Sequence, residues 1–481
     1  MRLARALRSQ SIPPLPAVVW SECLFAIPGI AALIFFILAR PQESFPLLQR
    51  VPFLHLFTAL AVLGWVIDVR LRRLQPIATP TLPWVIGLFL WALIGTAVLL
   101  PDQLLARALE LTSLFAMYGT ISHAIQRFRT FQLVAGVVTA TCFFIALVCF
   151  HQGFAEQQCI AGEESVGDIT GKPDGRVCET NEQCRGPEAE PGFEYRCEHV
   201  GLLGTYSIEG RVRYRGELHD PNEVSLTISG GALSLLIAFA IRKRKQTAAF
   251  FCALGAGLVF YTVYLTQSRG GLVAGMLVPA VYLIRRYGLR SMIPAAMVAL
   301  PVLLLGGRSG SAAEQSTLER YEAWSTGLTM FKQNPVFGVG ARQFAEHHYL
   351  TAHNTFVLCF AELGFPGFVL FMAVLYLTFK SLIVGLRDLR QVPGSEAATT
   401  WGLALLASMA GIVFQINTLS FAYHSVMWIF FGLVGGWCSA IRYHLPTFRV
   451  RMTWRDFLIV VALCGTYAIV VLPLFLRYKG F

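Results

Sequence analysis

Runs of about 17–25 apolar residues recur along this chain, the length an α-helix needs to cross a bilayer. They lie near 18–38, 51–68, 81–100, 104–125, 131–150, 222–241, 247–266, 270–285, 291–306, 355–378, 400–417, 421–441 and 456–476. Only 14% of the 481 residues are charged, where a soluble chain carries about 25%. The expected fold is an all-α polytopic membrane protein of 12 or 13 transmembrane helices. The last run is the ambiguous one: Arg477 and Lys479 would fall on the outer side if it spans, so lying in the interface is its alternative. At the N-terminus Arg2, Arg5 and Arg8 precede Pro13-Pro14, and the first run is long enough to stay as a span, so no cleaved signal is expected.

A net charge of +11 would suggest nucleic acid in a soluble chain. Here it reads as cytoplasmic loops rich in Arg and Lys, with no nucleic-acid partner. Arg70 to Arg73, Arg127 with Arg129, Arg242 to Lys245, Arg285-Arg286 and Arg442 through Arg455 all fall on one side if the spans alternate. That arrangement leaves 151–221 and 307–354 on the outer side. The expected organisation is five helices in 1–150, an outer loop at 151–221, helices six to nine in 222–306, a second outer loop at 307–354, and helices ten to thirteen in 355–481.

The first loop holds Cys159, Cys178, Cys184 and Cys197. Four cysteines in a polar outer loop read as two disulfides in an oxidising compartment, with three connectivities open. The alternative, a metal site, lacks a Cys-x-x-Cys pair. The loop carries 14 of the 28 acidic residues but ends on Arg211, Arg213 and Arg215. In an extended strand that spacing sets all three guanidiniums on one face, where they would hold an anion or form a solvated hairpin face.

Cations also persist in the second outer loop: Arg308, Arg320, Lys332 and Arg342. Arg269 stands at a tight break between spans, beside Gly270 and Gly271, which allow close approach of backbone and ligand. Arginine's planar fork suits phosphate, so the set points to a phosphorylated lipid head group or pyrophosphate. For Lys332 and Arg342 snorkelling or a lipid phosphate contact is the simpler account. His353 begins a long apolar run. Its imidazole can take a proton from a hydroxyl near neutral pH, and nearby cations would keep it neutral. Its plain alternative is a hydrogen-bonded interface histidine. Asn354 reads as an N-cap. Asp220 stands before Pro221-Asn222 as a turn and cap, or as part of a site. Gly364 and Gly367 are spaced for close helix packing in lipid.

Four stretches, "RYRGELHDPNEVS", "TQSRGG", "ERYEAWSTGLTMFKQNPVFGVGARQF" and "HNTFVLCFAELGFPG", together resemble the motifs of the O-antigen ligase and polymerase superfamily, in that family's order, over roughly 200–380. The resemblance implies a membrane fold of the GT-C glycosyltransferase type with two large periplasmic loops, in the bacterial inner membrane with its active site facing the periplasm. It implies transfer of a glycan from undecaprenyl pyrophosphate to an acceptor hydroxyl on the lipid A core, on another lipid-linked repeat or on protein, with no metal or other cofactor. It puts the base on His353 and pyrophosphate-binding arginines on Arg269, Arg213 and Arg320. Arg215, Asn354, Asp220 and Asn222 are further substrate-binding candidates. The Cys-bearing loop and a thirteenth span depart from the family pattern. The rival class, a transporter or flippase of lipid-linked saccharides, calls for ionisable residues at mid-bilayer and paired broken helices. Glu22, Glu110 and Glu362 are the main acids within spans, and the Arg and His set lies at one face.

Overall fold

A computed structural model describes residues 23–165, 168–187, 189, 192–242, 246–305 and 310–481. The N-terminal arginines, Glu22, Lys243 to Lys245 and Arg308 lie outside these residues. All thirteen expected segments fold as helix. They are α1 (Ala26–Leu38), α2 (Phe53–Arg70), α3 (Leu82–Leu99), α4 (Leu104–Ala124) and α5 (Phe128–Gln152), then α6 (Pro221–Ile228, continued through a π-helical turn at Ser229–Leu233 to Ser234–Arg242). Next come α7 (Gln246–Leu265), α8 (Arg269–Tyr287) and α9 (Met292–Leu305). Beyond α10 (Ser311–Gln333), a polar helix inside the second loop, stand α11 (Thr355–Leu389), α12 (Glu396–Gln415), α13 (Ser425–Ala440) and α14 (Trp454–Thr466, with a π-helical turn at Tyr467–Val471, to Leu472–Lys479). Among the described residues nine helices are long and apolar enough to cross a membrane, and α1 and α13 are apolar but shorter. The protein is an all-α polytopic membrane protein.

Burial separates the inner helices from the outer ones. The most apolar windows of α6 and α11 are 72% and 61% buried, against 17% for α2 and α7. The outer helices turn Leu and Phe side chains such as Leu63, Phe250 and Leu254 outward, as lipid-facing surfaces do.

The ambiguous last helix runs unbroken over 26 residues, and its most apolar 18-residue window has a mean hydropathy of 2.5, too apolar for a helix lying in the interface. It is fastened to α11 at two places. Asp456 accepts from Tyr376 Oη at 2.6 Å and pairs with Lys380 at 2.6 Å. At the start of α11 Asn354 Nδ2 donates to Tyr467 Oη, midway along the last helix, at 3.1 Å. Its terminal cation is held as well: Lys479 lies over the rings of Tyr321, Phe475 and Tyr478, a cation–π seat against α10.

The Cys-bearing loop is a three-stranded antiparallel sheet in the order β2 (Asp168–Val177), β1 (Gln157–Ser165), β3 (Glu194–His199). Its disulfides are Cys159–Cys184 and Cys178–Cys197, an interlaced pairing that packs around Tyr195. Beyond it the Arg211–Arg215 stretch is not the single strand face expected. Its guanidiniums diverge: Arg211 Nε bonds Thr266 O, Arg213 Nε bonds Tyr206 O, and Arg215 reaches Ser44. No strand pairs with this stretch to hold the alternation; the chain turns into a short helix at Gly216–Leu218, with Gly216 at φ +57°.

Gly364 does not serve a helix–helix contact, whereas Gly367 does, against Trp91 of α3. Gly364, at φ +65° and ψ −171°, breaks α11. The freed carbonyls are taken up by neighbours: Val339 N donates to Ala361 O at 2.9 Å, Gly340 N to Glu362 O at 3.0 Å, and Trp91 Nε1 to Leu363 O at 2.8 Å. Non-helical backbone at membrane depth is tolerated on these terms. Gly367 instead makes room for the Leu363 side chain and Trp91.

Candidate functional site

Two adjoining cavities open where α6, α8, α11 and α13 begin. The smaller, about 250 Å³, is lined by Arg211, Arg213, Asp220, Asn222, Arg320 and His353 among others. The larger, about 580 Å³, shares His219, Asp220, Leu350 and His353 with it and extends to Arg342, Glu362 and His424. His353 stands in the wall common to both.

The fold fixes His353 from either side. Trp324 Nε1 of α10 donates to Ala352 O at 2.9 Å. Asn354 Oδ1 caps α11 by accepting from Phe356 N and Val357 N. Between these anchors His353 adopts φ +44°, a left-handed conformation uncommon for a non-glycine residue and concentrated at functional sites. Neither ring nitrogen has a hydrogen-bond partner among the described residues. Burial first, and the Arg320 charge second, push its pKa below the ordinary 6.5, with Asp220 and Glu319 opposing. Arg320 and Trp324 lie four apart on α10, hence on one helix face, so the residue that orients the His353 backbone and the cation that acts on its ring come from the same surface.

The other candidates divide. Arg213 is 5% exposed, stacks over Tyr206 at 4.6 Å and donates its backbone N–H to Gln152 Oε1. Asp220 caps α6 through Asn222 N, and both residues line the smaller cavity. Arg269 is exposed and does not line either cavity, yet it is at the same end of the bundle: Ser268, the residue before it, caps α8 and donates to Asn222 Oδ1 at 2.6 Å. Gly271 serves packing rather than ligand approach, since a Cβ there would meet Ser225 Oγ at 2.2 Å. Arg215 points away, to Ser44. Asn354 is 2% exposed, both ends of its amide are bonded, and it lines neither cavity.

Several residues were beyond the reach of motif reading. Arg342 is not a snorkelling cation: it pairs with Glu110 of α4 at 2.7 Å and lies over Tyr423. Glu362, buried in α11, accepts from Arg342 N at 2.9 Å and Phe344 N at 3.0 Å, fixing the loop that walls the larger cavity. His424 caps α13 by accepting from Val426 N at Nδ1 and donates through Nε2 to Glu217 O at 2.9 Å. Those two bonds define a neutral tautomer, and burial lowers its pKa although Glu217 is near. Glu217, Arg342 and Tyr423 also border a third, apolar cavity of about 250 Å³ between α1, α2 and α4.

Residues 254–372 match the family model described as O-antigen ligase. Over that segment the sequence is similar to the O-antigen ligase family. The matched O-antigen ligase segment contains Arg269, Arg320, Arg342, His353 and the Gly364 break. Arg213, Asp220 and Asn222 lie outside it and join His353 only through the fold. No curated protein matches the chain.

Proposed function

We propose that this protein transfers a glycan from undecaprenyl pyrophosphate to an acceptor hydroxyl at the periplasmic face of the inner membrane. The acceptor is the lipid A core, another lipid-linked repeat, or a protein side chain. The observation that carries the reading is the meeting of His353, whose ring has no hydrogen-bond partner among the described residues, with Arg213 and Arg320 around one cavity, in a chain whose residues 254–372 match the O-antigen ligase family model. His353 takes the acceptor proton as the hydroxyl oxygen bonds to the anomeric carbon. The bond from that carbon to the pyrophosphate oxygen breaks, and the leaving group departs with the electron pair. Arg213 and Arg320, with Arg269 at the rim, stabilise the developing charge. Direct displacement inverts the anomeric centre. The cavity between α1, α2 and α4, with Leu33, Ile37, Leu54 and Leu114 in its walls, suits the first units of a polyprenyl chain.

Purified protein in detergent is expected to form the glycosidic product without a second compartment, which a transporter cannot do; no product from the strain's own lipid-linked glycan would defeat the proposal. Because the His353 pKa lies below 6.5, the neutral base persists below that pH. The acid limb of the kcat/KM profile is therefore expected under pH 6.5. Arg320→Gln removes the second cause but not burial, so the limb should move up from its wild-type position. A limb that stays in place in Arg320→Gln would exclude His353 as the titrating base.

A further inference from the structure

The sheet insert carries a cavity of its own, about 400 Å³, within the size range of small-ligand clefts. One wall is Glu179, Thr180 and Asn181; the opposite wall is Arg196, Cys197 and Glu198 on β3. The Cys178–Cys197 disulfide ties the two walls together. The third side is the turn Ile208–Arg211, closed by two backbone hydrogen bonds of 3.0 and 2.9 Å. Its central residues, Glu209 and Gly210, have φ of +52° and +71°, the signature of a type I′ turn. Glycine adopts this readily; Glu209 does not. Glu198, 4% exposed, holds the strained residue by accepting from Glu209 N at 2.6 Å, from Gly210 N at 3.2 Å and from Ser207 Oγ. A buried carboxylate is thereby committed to one surface turn.

That turn is the partition between two cavities. Glu209 lines the insert cavity on one side and the His353 cavity on the other. The charge changes across it. On the His353 side Arg211, Arg213 and Arg320 balance Glu209, Asp220 and Glu319, whereas the insert cavity has three carboxylates, Glu179, Glu198 and Glu209, against one guanidinium, Arg196. An anionic pyrophosphate suits the first environment and is disfavoured in the second. Hydroxyl-rich rings without acidic groups suit the second.

We propose that the insert cavity is a distal subsite for the acceptor glycan, binding uncharged or amine-bearing sugar rings remote from the attacking hydroxyl. This rests on the glycan-transfer reading above. The reacting end of the acceptor lies at His353 and its chain passes over the Ile208–Arg211 turn into the insert. A long acceptor is then gripped at two places, and a short one only at the first.

The test uses full-length purified protein, the strain's own lipid-linked donor, and fragments of the strain's own surface glycan sorted by length as acceptors. Thr180→Trp fills the cavity from an exposed position. It is expected to raise the acceptor KM about tenfold for long fragments, the loss of about one well-made polar subsite. KM for single-repeat acceptors, KM for donor, and kcat are expected to hold within about twofold. Arg185→Ala, on the insert surface outside the cavity, is expected to change none of these. If the wild type transfers glycan and Thr180→Trp handles long and short acceptors alike, the subsite is wrong and the transfer reading stands. Equal loss with every acceptor and with donor would also overturn it, by giving the insert a merely structural role. A wild type that makes no product removes both proposals together.

Discussion

Replacing His353 with Ala is expected to lower transfer by about 10²- to 10⁴-fold, the usual cost of losing a general base, while the protein still folds and inserts. The local geometry favours that separation of effects. The ring makes no hydrogen bond to another described residue, and the backbone around it is held by Trp324 Nε1 on Ala352 O and by the Asn354 cap. The one structural demand on residue 353 is its left-handed backbone, φ +44°. His353→Asn meets that demand, because Asn tolerates this region, and it also removes the base. The two variants should therefore share the activity loss, with His353→Asn keeping the wild-type melting temperature and His353→Ala melting slightly lower. The measurement is surface glycan in a deletion strain complemented with each variant, paired with thermal unfolding of the purified proteins. Normal polymer from either variant would remove His353 from the chemistry. Activity that falls only in step with stability would give the residue a structural role.

The fold class was legible because it depends on composition over whole segments. Lipid requires long apolar runs, and the thirteen runs are thirteen helices. Even the last run, made doubtful by Arg477 and Lys479, is a helix, since an aromatic seat for Lys479 offsets a charge that simple loop counting places badly. Two disulfides could be expected from four cysteines, but their partners could not. Cys159 and Cys197 face each other in the sheet register and are nevertheless bonded to Cys184 and Cys178, an outcome of strand order that no spacing encodes. The candidate site was legible in part for a similar reason. His353 and Asp220 stand at helix starts, and Arg213 and Arg320 in the two outer loops, whose side of the membrane follows from counting spans. Arg215 was misjudged because alternation in sequence implies a shared face only within a strand. Glu362 stood out only as an acid within a span, and Glu198 not at all: each accepts backbone N–H groups from a loop distant in sequence or beyond a turn, and the role of such a buried carboxylate is invisible until the loop is in place.

Gly364→Ala is expected to destabilise the protein by more than about 4 kcal/mol, or to prevent its accumulation, a size reserved for a few named mechanisms. Three act here together. The φ and ψ of +65° and −171° fall in a region that is essentially glycine-only. An added Cβ would stand 2.1 Å from Val336 O and 2.4 Å from its carbonyl carbon, and both are backbone atoms that cannot swing aside as a side chain could. The loop cannot retreat cheaply, because Val339 N, Gly340 N and Phe365 N bond across the break to Ala361 O, Glu362 O and Pro335 O. Retreat would strand those groups away from water, at roughly 1–3 kcal/mol each from mutational data. It would also pull Arg342 N and Phe344 N from Glu362 and so dismantle the wall of the larger cavity beside His353. Gly465→Ala is the matched control. It lies inside helical backbone where an added Cβ meets nothing within 4 Å, and a tolerated Gly→Ala change of that sort gains about 0.4–1 kcal/mol. Expression yield and thermal unfolding in detergent compare the two directly. Should Gly364→Ala accumulate and melt as the wild type does, the 335–344 loop moves without penalty, and a site whose wall shifts so freely could not hold His353 and the arginines in the fixed geometry that the proposed transfer requires.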